Sequence, residues 1–152
     1  MSTATLRMEA VASASLPDLA TALANGGLPS EDLAECAGRF YRFSDDSGAT
    51  VGFGGLEFKG VDALLRSVLV LAPLRRRGLG GAIVASLLDH AAMLGVRRVF
   101  LLTTTAADFF AALGFGVTAR AAVPEFIAAT TEFSRLCPAS AICMTKTIAP
   151  RS

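Results

Sequence analysis

A run of basic residues followed by glycines is the stretch with the clearest chemical potential. Residues 70–83 read VLAPLRRRGLGGAI, with arginines at 75–77 directly before Gly78, Gly80 and Gly81. Glycines at the start of a helix carry no Cβ atom, so they leave its first N–H groups accessible to a ligand. Arginines add positive charge and paired hydrogen-bond donors. The pattern predicts a site for an anionic group such as a phosphate.

Two familiar phosphate motifs do not fit this stretch. A Walker A loop ends in Gly-Lys followed by Ser or Thr, and neither the lysine nor the hydroxyl residue is present. The motif GxGxxG needs a glycine where Ile83 stands. The remaining alternative to a phosphate site is a solvated basic turn that caps a helix.

Arg66 is a second notable residue because it interrupts the apolar run at residues 63–71. A buried guanidinium is costly without an anion. Either a carboxylate of the protein pairs with Arg66, or Arg66 faces a substrate cavity and binds an acid group through two hydrogen bonds. The sequence leaves both alternatives open.

Composition narrows the class of protein. The 152 residues are 53% hydrophobic and 18% charged, with a formal net charge of +1. We therefore expect one domain, residues 1–152, without a global attraction for nucleic acid or an anionic membrane. The spacing of Cys36, Cys137 and Cys143 does not match a zinc site, and the N-terminus lacks a secretion signal. We expect free thiols, no metal and a cytoplasmic protein.

Alternating strand and helix signals surround these residues. Strands are predicted at residues 5–11, 39–44, 50–58, 63–71, 98–102, near 115 and at 139–148, and helices at 16–25, 30–38, 79–94, 106–113 and 124–132. Gly95 and Gly114 are expected to end two helices. Thr105 and Asp108 are expected to form a capping box. This order indicates a mixed α/β sheet in a single domain.

Two motifs together resemble the GCN5-related N-acetyltransferase (GNAT) superfamily. PLRRRGLG at residues 73–80 is similar to its motif A, [RQ]-x-x-G-x-[GA], and FFAALGF at 109–115 is similar to its [FLI]-Y-x-x-x-G-F. The order and spacing of elements from residue 4 to 148 match as well. The resemblance implies a mostly antiparallel sheet of about seven strands, with a V-shaped splay between the fourth and fifth, flanked by four or five helices.

The resemblance also implies acetyl-CoA as the cosubstrate. Its pyrophosphate would bind N–H groups of residues 76–81, and its pantetheine arm would pair with residues 69–71. The implied cofactor-binding residues are Leu69, Val70, Leu71, Arg76, Arg77, Gly78, Leu79, Gly80, Gly81, Thr103 and Phe110.

Within the superfamily the chain resembles a branch encoded with arsenic-resistance genes. The similar segments are GLE at 55–57, LRSV at 65–68, LTTTA at 102–106, DFF at 108–110 and LCPASA at 136–141. This implies acetylation of a small, anionic, amino-acid-like amine such as an arsenical or phosphinate toxin. Arg66, Ser67 and Phe110 would bind that substrate.

Acetyl transfer needs a base for the amine and a fate for the departing thiolate. Glu57 is the first candidate for the base and Asp62 the second, the alternative being that both are hairpin charges in solvent. Cys137, Ser140 or water would supply the proton to the thiolate, or nearby N–H groups would stabilise the thiolate instead. Phe110 stands where the family usually has a tyrosine that protonates coenzyme A.

The missing tyrosine keeps a second hypothesis open, namely a coenzyme-A-binding protein without efficient turnover. Thr103, where many relatives have asparagine, weakens another cofactor contact. A third hypothesis is binding of protein or nucleic acid through residues 75–77. The partner expected first is a small-molecule amine, with no nucleic acid and no membrane, and the sequence leaves open whether the chain forms a homodimer.

Overall fold

The computed structural model describes residues 6–34, 38–71, 78–136 and 140–149. Its strands are β1 (Arg7–Ala10), β2 (Gly38–Ser44), β3 (Thr50–Lys59), β4 (Asp62–Val70), β5 (Arg98–Thr103), β6 (Gly116–Val117) and β7 (Ile142–Thr147). They form one sheet in the order β1-β2-β3-β4-β5-β7-β6. Neighbouring strands are antiparallel except for β4 and β5, which are parallel.

The helices are α1 (Leu16–Asn25), α2 (Leu79–Met93), α3 (Ala107–Ala112) and α4 (Glu125–Ala128). Short 3-10 turns lie at Ser13–Ser15 and Arg120–Ala122, and a π-helical turn lies at Glu132–Leu136. In the described ranges, no helix has both the length and the apolar character needed to cross a membrane.

Helix α2 covers one face of the sheet. Its residues Ile83, Leu87 and Ala91 repeat at helical spacing and are completely buried. The close approach of helix and sheet requires a glycine on β3, since a Cβ atom on Gly54 would collide with the side chain of Leu87. Gly95 adopts a φ of 93° after the helix, which confirms it as the stop signal.

The opposite face of the sheet is covered by α1 and by the segment that contains α4. Leu19 and Leu23 of α1 pack in one cluster with Leu69 of β4. Ile127 and Phe133 form a second cluster that includes Leu64 of β4 and Phe100 of β5. Strand β4 therefore runs through the centre of the molecule with helices on both sides.

Strands β4 and β5 pair along part of their length and then diverge. The pairs run from Asp62–Arg98 to Leu64–Phe100. Beyond this point β4 contains a bulge, because Arg66 and Leu69 of β4 lie opposite Gly55 and Phe53 of β3. Ser67 in the bulge has a φ of 61°, a conformation that is uncommon outside glycine. The bulge bends β4, and the divergence confirms the V-shaped splay.

Most predicted strands and helices are confirmed, but the predicted helix at 30–38 is wrong in its described part. Residues 31–34 form turns, and Gly38 begins β2 rather than ending a helix. Asp32 and Leu33 are drawn into the interior, where Asp32 bonds to Arg66. These long-range contacts outweigh the local capping preference.

Three predicted boundaries also need correction. The helix from residue 124 stops at Ala128, because Thr130 donates its hydroxyl to the carbonyl of Ile127. The capping box at Thr105 does not form, and the N–H of Ala106 instead donates to Thr103 Oγ1 at 3.0 Å. The last strand begins at Ile142 rather than at 139.

Candidate active site

A cavity of about 1100 Å³ lies where β4 and β5 diverge. Its walls come from separate parts of the chain that the fold brings together. The lining residues are 26–29 after α1, 65–70 of β4, Gly78, Gly80 and Gly81 at the start of α2, 101–106 of β5 and the following loop, Phe109 and Phe110 of α3, and Glu132. This position between diverging strands gives an extended ligand access to strand edges and to a helix N-terminus.

The N-terminal end of α2 faces the cavity without a side-chain cap. Gly78 is its N-cap residue and has a φ of 75°, which favours glycine. A Cβ atom on Gly80 would lie 3.1 Å from Cζ of Phe109, so any side chain there would crowd the cavity wall. The positive end of the helix dipole and the first-turn N–H groups suit an anion.

Arg66 lies at the inner wall of the cavity among three carboxylates. Its Nη1 and Nη2 donate to Asp32 at 2.6 and 2.7 Å, and Nη1 also donates to Glu57 at 3.0 Å. Glu132 Oε1 is 3.5 Å from Nε. The Arg66 side chain is 0% exposed, and those of the three acids are each 4% exposed. We call these four side chains the Arg66 cluster.

The protonation of the Arg66 cluster follows from burial and from its neighbours. Burial raises the pKa of Glu132 to about 7, helped by the nearby charges of Glu57 and Asp32 and opposed by Arg66. Burial also raises the pKa of Glu57, although Arg66 works in the other direction. Burial opposes the charge of Arg66, but its hydrogen bond to Asp32 and the adjacent carboxylates raise its pKa and keep it a cation.

A match between the sequence and a protein-family model shows which family this chain belongs to. Residues 14–115 match the model of the acetyltransferase (GNAT) family, which is more than half of the chain. The chain belongs to the GNAT family. Among curated proteins, none is significantly similar in sequence.

Several solved structures share this fold at low sequence identity. N-acetylglutamate synthase from Neisseria gonorrhoeae, complexed with coenzyme A and N-acetyl-glutamate, matches with a TM-score of 0.79 and 19% identity over 97% of this chain. This chain spans 36% of that protein. Rv2747 from Mycobacterium tuberculosis, in complex with CoA and NLQ, matches with a TM-score of 0.74 and 22% identity, covering 94% of this chain and 99% of that one. Tetrahymena GCN5 gives 0.74 and 14%, covering 96% and 98%.

Most residues predicted to bind the GNAT cosubstrate line the cavity. They are Leu69, Val70, Gly78, Gly80, Gly81, Thr103 and Phe110. Leu79 instead belongs to the buried core, and the N–H of Leu71 donates to Val51 on the β3 side. Arg76 and Arg77 lie outside the described residues. Their contact with pyrophosphate stays a prediction.

The predicted substrate-binding and catalytic residues fall in different places. Ser67 and Phe110 line the cavity, as does Arg66. Of the two partners expected for Arg66, the structure contains protein carboxylates. Binding of a substrate acid group by Arg66 stays a prediction. Ser140 is exposed and is not among the described lining residues. Cys137 lies outside the described residues.

The two candidates for the base are also separated. Glu57 is buried in the Arg66 cluster rather than in solvent. Asp62 begins β4 at the end away from the bulge, where it forms an ion pair with Arg98 at 2.8 Å. Asp62 is not among the described residues that line the cavity. A role for Glu57 as the base stays a prediction.

Sequence reasoning missed Glu132 and Asp32 as site residues. Both were assigned to helices, where an acidic residue needs no special explanation. The one available signal was Arg66, whose position in an apolar run required an anion. That signal predicted a carboxylate partner but could not identify it, because Asp32 and Glu132 are distant from Arg66 in sequence.

Proposed function

We propose that this GNAT protein transfers an acetyl group from acetyl-CoA to the amine of a small molecule. The observation that carries the proposal is the 1100 Å³ cavity between the diverging β4 and β5, which meets the uncapped glycine-containing start of α2. The coenzyme A complexes of the N. gonorrhoeae and M. tuberculosis proteins support this cosubstrate.

The residues at the start of α2 fit the phosphate end of the cosubstrate. Gly78, Gly80 and Gly81 present a surface without side chains, and any Cβ atom on Gly80 would crowd Phe109. The N–H groups of this first turn would bind the pyrophosphate. Arg76 and Arg77 would add charge. When bound, acetyl-CoA supplies a thioester, whose carbonyl carbon accepts the amine.

The acceptor amine would approach from the part of the cavity beside the Arg66 cluster. Glu132 lines the cavity and lies next to Arg66, four residues along β4 from the Val70 side chain that neighbours Gly80. The narrower hypothesis of an anionic acceptor, such as an arsenical or phosphinate toxin, came from the family resemblance, with Arg66 as the group that would bind the acid. Because Arg66 already bonds to protein carboxylates, an acid group would need another cation.

Amino-acid-like acceptors belong in the acceptor screen for a different reason. The N. gonorrhoeae synthase is complexed with N-acetyl-glutamate in one structure and with L-arginine in another. This chain spans 36% and 34% of those two chains, so their ligands are a guide to a screen and not to the substrate.

A second candidate function is favoured by Phe110. This residue is buried, lines the cavity and packs edge-on against Phe109 and Phe115, so no hydroxyl is present at this position to protonate a thiolate. A protein with this substitution could bind coenzyme A without efficient turnover.

One experiment separates the two functions. Coenzyme A binding is measured by calorimetry, and thiol release from acetyl-CoA is followed with amino acids, arsenical and phosphinate analogues, polyamines and aminoglycosides. We expect binding and slow, amine-dependent thiol release. Binding without release from any acceptor would support the second function, and absence of binding would contradict both.

A further inference from the structure

Glu132 is the acidic side chain that the described part of the cavity wall presents to a ligand. It lies in the π-helical turn and is 3% exposed, and both Glu57 and Asp32 stand behind Arg66 rather than in the wall. Glu132 adjoins Arg66 of β4, whereas Gly80 at the start of α2 adjoins Val70, four residues further along the same strand, so Glu132 lies away from the start of α2. If the proposed function is correct, this is where the acceptor nitrogen meets the thioester.

Glu132 is also the least neutralised of the three acids. Its distance to Arg66 is 3.5 Å, compared with 2.6 Å for Asp32 and 3.0 Å for Glu57. The strength of an ion pair falls with distance, and Arg66 donates hydrogen bonds to Asp32 and Glu57. Glu132 therefore keeps proton-accepting capacity that the other two acids use on Arg66.

When its acids are ionised, the Arg66 cluster carries more negative than positive charge. One guanidinium faces the three carboxylates Asp32, Glu57 and Glu132. Among the described residues that line the cavity, Arg66 is the one Lys, Arg or His side chain. An ammonium group would be attracted to this wall, whereas a carboxylate attached next to that ammonium would be repelled.

We propose that Glu132 accepts the proton of the acceptor ammonium and that the surplus negative charge of the Arg66 cluster selects amines without a neighbouring acid group. The inference rests on the proposed acetyl transfer and names its base and its acceptor class. It replaces Glu57 by Glu132 as the group that contacts the substrate. Glu57 and Asp32 act as positioning residues, since they hold Arg66 and so fix the charge around Glu132.

The step balances as follows. The ammonium gives one proton to a carboxylate oxygen of Glu132, which leaves a nitrogen lone pair. This pair forms a C–N bond with the acetyl carbon, and the C–S bond breaks with its electrons going to sulfur. The second proton lost by nitrogen neutralises the thiolate. Glu132 then passes its proton to water, so each turnover releases one proton.

The protonation state of Glu132 agrees with this role. A base works best when its pKa is near the working pH. Burial, together with Glu57 on β3 and Asp32 in the turn after α1, raises the pKa of Glu132 to about 7 against the opposing charge of Arg66 on β4. The rate constant kcat/KM should therefore rise as pH increases through about 7.

The test compares wild type with Glu132→Gln and with Glu125→Gln, a control on the exposed surface of α4. Glu132→Gln should lower kcat/KM on the order of 10²–10⁴-fold near neutral pH and remove the rise near pH 7. The remaining activity of the variant should rise with the fraction of the amine that is neutral in solution. A fluorinated ethylamine is less basic than ethylamine, so the variant should lose much less rate with it than with ethylamine. Coenzyme A affinity and the control variant should be unchanged.

A second comparison tests the acceptor class. Each amino-acid acceptor is paired with its decarboxylated amine, whose nitrogen is more basic and would be the poorer substrate if ionisation alone decided. We expect the decarboxylated amine to be preferred by at least about tenfold. A preference for the amino acid would overturn the charge selection.

The outcomes are separable from those of the proposed function. Wild type that binds coenzyme A but acetylates no amine contradicts acetyl transfer itself, and this inference falls with it. Active wild type together with a Glu132→Gln variant of equal rate and equal pH profile overturns the role of Glu132 alone. If Glu132→Gln does not fold, Glu132→Asp replaces it, and the inference then requires a reduced kcat with the rise near pH 7 retained.

Discussion

Asp32 and Arg66 form a two-point ion pair, with Oδ2 2.6 Å from Nη1 and Oδ1 2.7 Å from Nη2. Asp32 lies in a turn after α1, and Arg66 lies in the central strand β4. This pair ties the loop beside the cavity to the middle of the sheet. It also supplies two of the three hydrogen bonds that the buried Arg66 guanidinium donates to carboxylates.

The first prediction concerns the stability of the Arg66 cluster. Arg66→Met leaves three buried carboxylates without a cation and should lower the free energy of unfolding by about 3–5 kcal/mol near neutral pH. The loss should shrink in acid, because the carboxylates can then take up protons. Urea unfolding at about pH 5 and about pH 8 measures both effects.

Arg98→Met is the matched control. Arg98 also pairs with an aspartate, Asp62, at 2.8 Å, but its side chain is 48% exposed. Such a surface pair contributes on the order of 0–1 kcal/mol. Equal losses in the two variants would contradict the argument that burial makes Arg66 indispensable.

The second prediction concerns how stability depends on pH through Glu132. Its pKa is raised from 4.5 to about 7 in the folded protein, so between these values the native state holds a proton that the unfolded state releases. Unfolding then becomes easier as pH rises through this window, by on the order of 3 kcal/mol in total. Glu132→Gln should remove this component and be more stable than wild type at about pH 8.

The measurement is the difference in unfolding free energy between wild type and Glu132→Gln across this window. Glu57, whose pKa is also raised by burial, contributes in the same direction and stays in both proteins. Glu125→Gln should follow wild type throughout. A difference that does not change with pH would show that Glu132 ionises as it does in the unfolded chain.

Much of the fold was predictable because its signals are local. The helical spacing of Ile83, Leu87 and Ala91 predicts α2, and Gly95 marks its end. The splay of β4 from β5 was expected from the family resemblance. The bulge at Ser67 that accompanies it has no sequence signature, since a serine gives no hint of a positive φ.

The Arg66 cluster could be predicted only in part. An arginine in an apolar run requires an anion, and this much was local information. The identity of the anions was not, because Asp32, Glu57 and Glu132 come from three separate segments. The same contacts explain why the helix expected at residues 30–38 is replaced by turns where it is described.

The third prediction concerns the start of α2. Gly80→Glu should abolish the rise in melting temperature that coenzyme A causes, because it places bulk and negative charge where the pyrophosphate would bind. Gly80→Ala should weaken the shift, since its Cβ atom would lie 3.1 Å from the Phe109 ring. Ala85→Glu, on the exposed side of the same helix, is the charge-matched control and should keep the shift. An undiminished shift in Gly80→Glu would place the phosphate elsewhere.

The last prediction concerns Phe110 and the departure of coenzyme A. A thiol with an ordinary pKa of about 8.5 leaves as thiolate with modest help near pH 8, but needs more help in acid. Phe110 packs edge-on against Phe115 at 5.7 Å between ring centres and lines the cavity. Phe110→Tyr keeps this ring and adds a proton donor.

We expect thiol release by wild type to be slow but measurable. Phe110→Tyr should raise kcat on the order of tenfold at about pH 6, with a smaller gain at about pH 9. Phe58→Tyr, on a half-buried ring of β3 that is not among the described lining residues, is the control and should leave the pH dependence unchanged. If Phe110→Tyr gives no gain at any pH, protonation of the thiolate does not limit turnover, and the phenylalanine is a packing residue with no catalytic cost.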